Sequence, residues 1–559
     1  MIDTENVRVA IALGSNLGDR FHNIELALRL VEVPKEVLPS EDLERCGPDV
    51  FATVIDTSFM YETTPMYVTN QPSFINCACI VETNIPPKVL LHLLKHIEAA
   101  VGRVPSVPNG PRAVDLDIVF YGTRVIDTRP PNERDTLDNL KGQLVVPHPR
   151  MAEREFVLQP LNDMIPDLVH PIYQKPVWTL LDELAARDPS MRRVVPFPRY
   201  PLPADHSWSY PVPNVPPTLT HWTYPIISSK RPRRASKQRT HLMATLNATP
   251  DSFSDGAMHN TLDTALAYAR DSVDAGASII DIGGYSTKPG ATFVSTEEEI
   301  SRIVPIVSAI RNPSPGQPVR ADLDARLKDI PISIDTFRSE VARTTILAGA
   351  NCINDVYAFT GREDVYPLPD AAAMKRAEES MAGMKAVARE FAVPVVLMHS
   401  RGDAGQNKDY NMYGEGPGAV IRGVQIELGD KVERIIKGKG GVRRWMVIVD
   451  PGLGFSKTVE GNLEVLRDAS SIVAETNVDD PSQRNPLRGY PQLIGPSRKS
   501  FLGAILARRE RGRETTPRER IWATATAVAC AVQQGAMVVR VHDTREMADV
   551  VAVSDELWS

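Results

Sequence analysis

Two aspartates and two arginines near residue 110 could carry chemistry on phosphate groups. Asp115 and Asp117 alternate along the apolar run DLDIVFY, so a strand here would turn both carboxylates to one face. Paired carboxylates suit Mg²⁺, which takes few protein oxygens together with substrate phosphates. Arg103 and Arg112 precede the run, and guanidinium groups can hold phosphate oxygens. A polar strand face with ordinary salt bridges fits the Asp-x-Asp pattern equally, so this pattern alone leaves both interpretations open.

A second set of polar residues follows short apolar runs in the second half of the chain. Eight such runs occur, and most are separated by enough residues for a helix. The residues at or near their ends are Asn247, Asp281, Asp335, Asn354, His399, Asp450, Lys499 with Ser497, and Arg540 with His542. This repeat predicts a (β/α)8 TIM barrel, because such a barrel builds its active site from the C-terminal ends of its strands.

The elements around the first set indicate a different fold. Apolar runs at 7–15, 53–61 and 74–82 predict strands, and apolar residues at helical spacing over 89–97 predict a helix. Asp19 or a nearby polar residue is expected to cap the helix that follows the first strand. The order strand, helix, strand, strand, helix, strand predicts a ferredoxin-like α+β domain with helices packed on a sheet.

Length and proline content predict two domains and a linker. The chain has 559 residues, more than one hydrophobic core usually supports. We assign 1–188 to the α+β domain and 241–559 to the barrel. The segment 189–240 is dense in proline, which predicts a semi-rigid, extended linker. Its basic run, 230–239, is interpreted as a solvated linker end.

Charge, cysteine content and hydropathy limit the classes of function. The formal net charge is -7, which argues against nucleic acid as the main partner. The five cysteines form no zinc pattern and are expected to be free thiols. No apolar run is long enough to cross a membrane, so no membrane partner is expected. The opening residues, MIDTEN, show neither a signal peptide nor a transit peptide.

Five motifs of the first domain, taken in order, resemble those of 6-hydroxymethyl-7,8-dihydropterin pyrophosphokinase. They are ALGSNLGDR, YETTPMY, FINCA, GPRAVDLDI and VPHPRMAEREFVLQPL. The resemblance implies pyrophosphoryl transfer from ATP to the pterin hydroxymethyl oxygen with release of AMP. It implies two Mg²⁺ on Asp115 and Asp117, which with Arg103 and Arg112 are the implied catalytic residues. The implied ATP contacts are Arg103, Arg112, His148 and Arg154, and the implied pterin contacts are Thr64, Phe74, Asn76 and Phe156.

Two stretches of this domain depart from the family pattern. Met66 and Tyr67 follow Thr64 and Pro65, where the family more often has Pro and Leu. The loop 104–109 is rich in proline. Both departures fall on loops beside the expected site, so they bear on nucleotide affinity rather than on the reaction.

Seven motifs of the barrel resemble those of dihydropteroate synthase. They are LNATPDSFSDG, DIGGYSTKPGA, SIDTFRSEVA, INDV, DPGLGFSK, GPSRKSFLG and RVHD. The implied pterin contacts are Asp335, Asn354, Asp450, Lys499 and Arg540. The implied pyrophosphate contacts are Asn247, Arg540 and His542, with one Mg²⁺ at Asn247. The implied p-aminobenzoate contacts are Thr287, Pro289, Phe455 and Ser497, and the implied catalytic residues are Lys499, Arg540 and His542.

Several side chains in these barrel motifs have the chemistry needed to bind a pterin. The amino-pyrimidinone edge of a pterin presents N–H donors for a carboxylate such as Asp450, and its carbonyl accepts from a donor such as Lys499. A flat ring also accepts a stacked guanidinium, here Arg540. In the implied reaction pyrophosphate leaves the pterin methylene carbon and the aryl amine adds. Anion binding is then the main catalytic contribution, and no general base is evident.

The two resemblances support one another, because the product of the first reaction is the substrate of the second. Together they predict a bifunctional folate-biosynthesis enzyme that uses ATP, 6-hydroxymethyl-7,8-dihydropterin and p-aminobenzoate. A small-residue helix at 521–536 is expected to pair two barrels in a homodimer. The expected location is mitochondrial or cytoplasmic, with mitochondrial the family expectation in eukaryotes.

Two alternatives differ in chemistry. A pterin-dependent methyltransferase would use the same barrel. A methyl transfer, however, needs no pyrophosphate-binding residues of the kind expected at 497–500 and 540–542. A scaffold with one decayed domain would not need Asp115, Asp117 and Lys499, all of which are present. Both alternatives are therefore disfavoured.

Overall fold

A computed structural model describes two compact units. The described residues are 6–104, 110–137, 140, 142–185, 187–227, 238–248, 262–285, 293–312, 321–361, 370–477, 483–508 and 510–558. One unit comprises the chain up to Pro196 with Ala204–Thr223 and Ile436–Trp445. The other comprises Phe197–Pro203, Tyr224–Ile435 and the chain from Met446 onward.

The first unit is built on a seven-stranded sheet. Its strands are β1 (Val7–Ser15), β2 (Ala52–Thr57), β3 (Met60–Thr63), β4 (Phe74–Thr83), β5 (Asp115–Tyr121), β8 (Arg192–Pro198) and β9 (Thr218–Pro225), and a small two-stranded sheet holds β6 (Ile126–Asp127) and β7 (Val145–Val146). The order is β5-β1-β4-β3-β8-β9, and β2 also pairs with β4. Strand β4 is buried along most of its length because it is antiparallel to β1, β2 and β3.

Six α-helices occur among the described residues of this unit. They are α1 (Arg20–Val31), α2 (Pro34–Val37), α3 (Ser40–Cys46), α4 (Pro87–Ala100), α5 (Glu155–Met164) and α6 (Val177–Asp182). Helix α1 begins after Asp19, whose carboxylate accepts from the backbone N–H of His22 at 3.1 Å, so the predicted cap is confirmed. Helices α5 and α6 bury an apolar face that includes Val157, Leu158 and Leu161.

The segment predicted as an extended linker carries two strands of the first sheet. Strand β8 is antiparallel to β3, with Met60 opposite Val194, and β9 lies next to β8. The runs RRVVPFP and TLTHWTYP are rich in β-branched and aromatic residues, and this preference outweighs their prolines. The domain boundaries at 188 and 240 stay a prediction, and residues 230–237 of the basic run lie outside the described part.

The second unit contains an eight-stranded parallel barrel. Its strands are β10 (His241–Asn247), β11 (Ile279–Gly283), β12 (Ile332–Asp335), β13 (Cys352–Asp355), β14 (Val395–Met398), β15 (Val447–Asp450), β16 (Leu493–Ile494) and β17 (Val538–Val541). Neighbours along the chain pair in parallel from β10 to β15, and β17 pairs with both β10 and β16. A parallel bridge from Val449 to Gln492 closes the ring. The predicted TIM barrel is confirmed, with every strand on a predicted run.

Helices alternate with the barrel strands. They are α7 (Leu262–Asp274), α8 (Thr296–Arg311), α9 (Ala321–Asp329), α10 (Ser339–Ala348), α11 (Ala371–Phe391), α12 (Ala419–Ile436), α13 (Val459–Arg467), α14 (Ala469–Ile472), α15 (Ser500–Ala507), α16 (Ile521–Gln533) and α17 (Thr544–Trp558). Because all eight strands run the same way, their C-terminal residues share one end of the barrel. None of the described helices combines the length and apolarity of a membrane span. The five cysteines are free thiols, as predicted.

Candidate functional sites

A cavity that is open to solvent lies at the end of the first sheet. The predicted site residues that line it are Thr64, Phe74, Asn76, Arg112, Asp115, Asp117, His148, Arg154 and Phe156. These residues come from β4, β5, helix α5 and the loops around them. All residues predicted for the first site except Arg103 thus line this one cavity.

Arg103 joins the same site through Asp115. The Asp115 carboxylate accepts from Arg103 Nη1 and, at 2.6 Å, from Arg112 Nη1. Arg103 also contacts Glu98, 2.7 Å away. Burial opposes ionisation of Asp115, but Arg112 and Arg103 hold its pKa below the usual value. Asp115 is therefore ionised at neutral pH. The guanidinium groups of Arg103 and Arg112 that pair with it could also bind phosphate oxygens.

His148 and Arg154 stand on the segment between β7 and α5. Burial lowers the pKa of His148, so the neutral imidazole is favoured at neutral pH despite the nearby Asp117. The guanidinium of Arg154 lies over the rings of Tyr67 and Phe156, with centroid distances of 5.4 and 5.7 Å. Its Nε also donates to the Tyr67 hydroxyl at 3.1 Å. Tyr67, one of the departures from the family pattern, thus holds a predicted ATP-binding arginine.

The predicted pterin residues are fixed by β1, β3 and β4. Asn76 donates to Thr63 Oγ1 at 2.7 Å. Gly14 lies opposite Asn76 in the β1–β4 pairing, and a Cβ there would stand 2.8 Å from Asn76 Oδ1. The absence of a side chain at Gly14 therefore leaves room for the Asn76 amide. Thr64 donates from both N and Oγ1 to Asp188 at 3.0 and 2.9 Å.

Arg540 organises the C-terminal end of the barrel. Its Nε donates to Asp281 at 2.6 Å and its Nη2 to Asp335 at 2.9 Å. Asn354 Nδ2 donates to the same oxygen of Asp281 at 3.1 Å. Asp281 is completely buried, so it positions Arg540 and Asn354 rather than meeting a ligand. Burial raises the pKa of Asp335 to about 7 although Arg540 opposes the shift.

Asp450, Lys499 and Phe455 form a second part of this end. The Asp450 carboxylate accepts from the backbone N–H of Gly452 at 2.7 Å. Burial raises its pKa to about 6, and the Gly452 hydrogen bond and Lys499 moderate the rise. Lys499 Nζ lies 4.5 Å from the centre of the Phe455 ring. Phe455, a predicted p-aminobenzoate contact, thus lies beside Lys499, a predicted pterin contact.

Ser497, His542 and Asn247 complete the predicted barrel residues that the structure describes. Ser497 Oγ accepts from the backbone N–H of His542 at 3.2 Å and lies 3.0 Å from its Nδ1. Asn247 ends β10 opposite Gly283 of β11. Thr287 and Pro289 lie outside the described residues.

A buried polar network beside Asp450 was missed by the sequence analysis. Lys457, His399 and Glu427 contact one another in series, each at most 4% exposed. The three residues stand far apart along the chain, so no spacing indicates their contact. The available signals were His399 at the end of an apolar run and the lysine within DPGLGFSK, which falls in a loop at another strand end.

The first cavity fits Mg²⁺ with bound phosphate. Among the described residues, no group of three or more His, Cys, Asp or Glu side chains could hold a metal ion. Asp115 and Asp117 supply two carboxylates on one strand face, and Mg²⁺ commonly binds one or two carboxylates plus substrate phosphates. The donor set therefore suits a metal ion that arrives with a nucleotide.

Comparison with known proteins matches both units. Residues 10–166 match the family described as 7,8-dihydro-6-hydroxymethylpterin-pyrophosphokinase, and 243–542 match the family described as pterin binding enzyme. Folic acid synthesis protein fol1 of Pneumocystis carinii is 34% identical over 556 residues, which cover 99% of this chain and 60% of the relative. The mitochondrial folate synthesis bifunctional protein of Arabidopsis thaliana is 34% identical over 568 residues, which cover 98% of this chain and 83% of the relative.

A solved structure supports the fold. The crystal structure of a Plasmodium falciparum HPPK-DHPS triple mutant with pteroate matches with a TM-score of 0.68 and 19% identity, over 100% of this chain and 96% of that one. The fold and the two sites thus define a two-domain protein that joins a pyrophosphokinase-type α+β domain to a pterin-binding barrel. The chain belongs to the family of bifunctional folate synthesis proteins. It spans 60% of the length of the Pneumocystis carinii relative.

Proposed function

We propose that this chain catalyses two successive steps of folate biosynthesis. The first unit acts as 2-amino-4-hydroxy-6-hydroxymethyldihydropteridine diphosphokinase, and the barrel acts as dihydropteroate synthase. The observation that carries the proposal is that the described residues of each predicted set lie at one site of a unit that matches the corresponding family. The product of the first reaction is then the substrate of the second.

In the first reaction the pterin hydroxymethyl oxygen attacks the β-phosphorus of ATP and AMP leaves. Phe74 and Phe156 bind the flat pterin in the cavity, and the Asn76 amide pairs with its polar edge. Arg103 and Arg112 pair with Asp115 in the ATP-free protein and hold phosphate oxygens when ATP is bound, with His148 and Arg154. Positioning and charge neutralisation are most of what such a transfer needs.

We assign two Mg²⁺ to the first site and one to the second. Asp115 and Asp117 would hold the two ions together with ATP, and Asn247 would hold the third. Bound Mg²⁺ neutralises phosphate charge and helps to align the reacting groups. The low pKa of Asp115, with burial opposed by two arginines, supports an ionised ligand there at neutral pH.

In the second reaction pyrophosphate leaves the pterin methylene carbon and the amine of p-aminobenzoate adds. Asp450 accepts from the pterin N–H groups, and Lys499 donates to its carbonyl and ring nitrogen. Asp281 and Asp335 hold Nε and Nη2 of Arg540 by hydrogen bonds in the plane of the guanidinium, which leaves its flat face for stacking on the pterin. Asn247, Arg540 and His542 hold the departing pyrophosphate, which is the main catalytic contribution. Ser497, Phe455, Thr287 and Pro289 form the p-aminobenzoate site.

Two further proposals concern assembly and location. We propose a homodimer through α16, supported by Trp522 on that helix, which is 80% exposed. Light scattering should give twice the chain mass, and Trp522→Glu should give the single mass. The proposed location is mitochondrial or cytoplasmic, supported by the name of the Arabidopsis relative, and imaging of the tagged protein in its own cells tests it.

One assay tests the proposed reactions. The protein is given 6-hydroxymethyl-7,8-dihydropterin, ATP and Mg²⁺, with and without p-aminobenzoate, and AMP, pyrophosphate and dihydropteroate are measured. We expect AMP in both samples, and pyrophosphate with dihydropteroate only when the amine is present. AMP without dihydropteroate would contradict the assignment of the barrel and favour the methyltransferase alternative. Absence of AMP would contradict the assignment of the first unit.

A further inference from the structure

Lys457 is a buried lysine in the loop between β15 and α13. It is 4% exposed, which is unusual for a lysine. Its Nζ lies 3.0 Å from His399 Nδ1, 3.1 Å from the carbonyl oxygen of Gly452 and 3.1 Å from that of Phe455. The lysine thus ties the end of β14 to a loop that carries a proposed p-aminobenzoate contact.

The partners of His399 determine which of its two ring nitrogens carries a proton. Glu427 Oε2 lies 3.0 Å from His399 Nε2, while Oε1 accepts from Arg401 and from the Tyr413 hydroxyl at 3.1 and 2.7 Å. Burial would raise the pKa of Glu427, but the hydrogen bonds from His399 and Tyr413 and the charge of Arg401 hold it below the usual value. An ionised carboxylate only accepts, so His399 Nε2 donates to it. Burial and Lys457 lower the pKa of His399 to about 4, so its Nδ1 is a lone-pair acceptor.

Lys457 therefore faces three acceptors. An ammonium group has three N–H donors, one for His399 Nδ1 and one for each carbonyl oxygen. The Gly452 carbonyl oxygen also accepts from the backbone N–H of Phe455 at 3.1 Å. A neutral amine has two N–H bonds and would lose one of the three contacts. The protonated form of Lys457 is thus the form that donates to all three acceptors.

The loop held by Lys457 packs closely on the proposed active site. Gly452 has a φ of +72°, and a Cβ there would stand 2.0 Å from the carbonyl oxygen of His399. Its backbone N–H donates to Asp450, and the ring of Phe455 lies under the Lys499 ammonium. A small displacement of the loop would therefore move the Phe455 ring relative to Lys499.

We propose that Lys457 is a positioning residue for the p-aminobenzoate site, because its three donors hold the Gly452–Lys457 turn against His399 and so keep Phe455 in place. This inference rests on the proposed synthase function of the barrel. It adds a residue that touches neither substrate and acts through the loop.

The same contact makes the site sensitive to pH. Burial lowers the pKa of Lys457 to about 7. The charged or titratable groups around this network are Asp450, Lys499, His399, Arg401, Glu427 and Lys431. As pH rises through 7, Lys457 loses a proton and one of its three donors. Asp450, with a pKa of about 6, is already ionised over that range. The KM for p-aminobenzoate is therefore expected to rise between pH 6.5 and 8.5.

The test compares Lys457→Met with Lys408→Met, which removes an exposed lysine from the loop before α12. Lys457→Met is expected to raise the KM for p-aminobenzoate about tenfold or more, since it removes three hydrogen bonds from a charged donor. Its KM for the pterin pyrophosphate should change less, and AMP formation by the first unit should be unchanged. Lys408→Met should leave all of these constants within twofold of the unaltered protein.

The pH dependence of the KM for p-aminobenzoate gives a second readout. The unaltered protein should show the rise in KM for p-aminobenzoate above pH 7, and Lys457→Met should show a high KM that no longer changes with pH. An unchanged KM in Lys457→Met, or a rise with pH that persists in the variant, would overturn the inference. If Lys457→Met does not fold, a KM in the unaltered protein that is flat from pH 6.5 to 8.5 would still overturn it. No dihydropteroate from the unaltered protein at any pH would instead contradict the proposed function.

Discussion

A methyl group added at Gly14 tests the pterin contacts proposed for the first unit. In Gly14→Ala the new Cβ would stand 2.8 Å from Asn76 Oδ1 and 3.8 Å from Phe74 Cδ1. The first separation is shorter than a real Cβ contact, so the Asn76 amide must shift. That amide already donates to Thr63 at 2.7 Å, and a shift bends this bond or the one proposed to the pterin.

The size of the effect follows from these hydrogen bonds. Weakening one or two of them costs about 1–2 kcal/mol at roughly 1 kcal/mol each. This corresponds to a rise of about tenfold in the KM for 6-hydroxymethyl-7,8-dihydropterin. The KM for ATP should stay within about twofold, because the proposed phosphate contacts are the arginines and His148 rather than Asn76.

Steady-state AMP formation, with each substrate varied in turn, measures both constants. Conversion of supplied pterin pyrophosphate to dihydropteroate in the same preparation is the control for an intact barrel. Asn76→Ala should give a similar loss, and the double variant Gly14→Ala with Asn76→Ala should lose no more than Asn76→Ala alone. Full additivity of the two losses, or a rise confined to the KM for ATP, would refute the reasoning.

Four further predictions concern the barrel and the metal. Arg540→Met should destabilise the barrel by about 3–5 kcal/mol in denaturant unfolding and abolish dihydropteroate formation but not AMP formation, because it leaves the buried carboxylate of Asp281 and the partly buried carboxylate of Asp335 without their cation; unchanged stability would contradict this. Because burial raises the pKa of Asp450 to about 6, pterin affinity in the barrel should fall towards tenfold per unit below pH 6 in calorimetry, and Asp450→Asn should bind weakly with little change over that range. The raised pKa values of Asp450 and Asp335 should also lower the free energy of unfolding as pH rises from about 4 to 7, because the folded state retains protons that the unfolded chain has lost; thermal unfolding across that range measures it. Chelation of Mg²⁺ with EDTA should stop AMP formation and Mg²⁺ should restore it, whereas activity that persists in EDTA would contradict a metal on Asp115 and Asp117.

The barrel could be predicted from sequence because its strands repeat one pattern. Each of the eight apolar runs ended in polar residues, and every strand from β10 to β17 falls on one of them. Asp115 and Asp117 could be placed on one face because residues two apart on a strand share a side. Both features depend on residues that are close together in the sequence, so a sequence pattern is enough to predict them.

Other features depend on contacts between distant residues. Proline content predicted an extended linker, but β8 finds its partner in β3, more than 120 residues earlier. The contact of Lys457 with His399 joins residues 58 positions apart, and charged residues are ordinarily expected on the surface. The room that Gly14 leaves for Asn76 depends on the register of two strands. Such pairings follow from the fold and have no spacing of their own in the sequence.

The central claim is that two separate sites perform successive reactions, and Asp117→Ala tests it most directly. The variant and the unaltered protein are each given ATP with 6-hydroxymethyl-7,8-dihydropterin and, separately, the pterin pyrophosphate with p-aminobenzoate. We expect Asp117→Ala to form no AMP but to form dihydropteroate at the unaltered rate from the supplied pyrophosphate. Loss of both products, or AMP formation that survives the substitution, would contradict the claim.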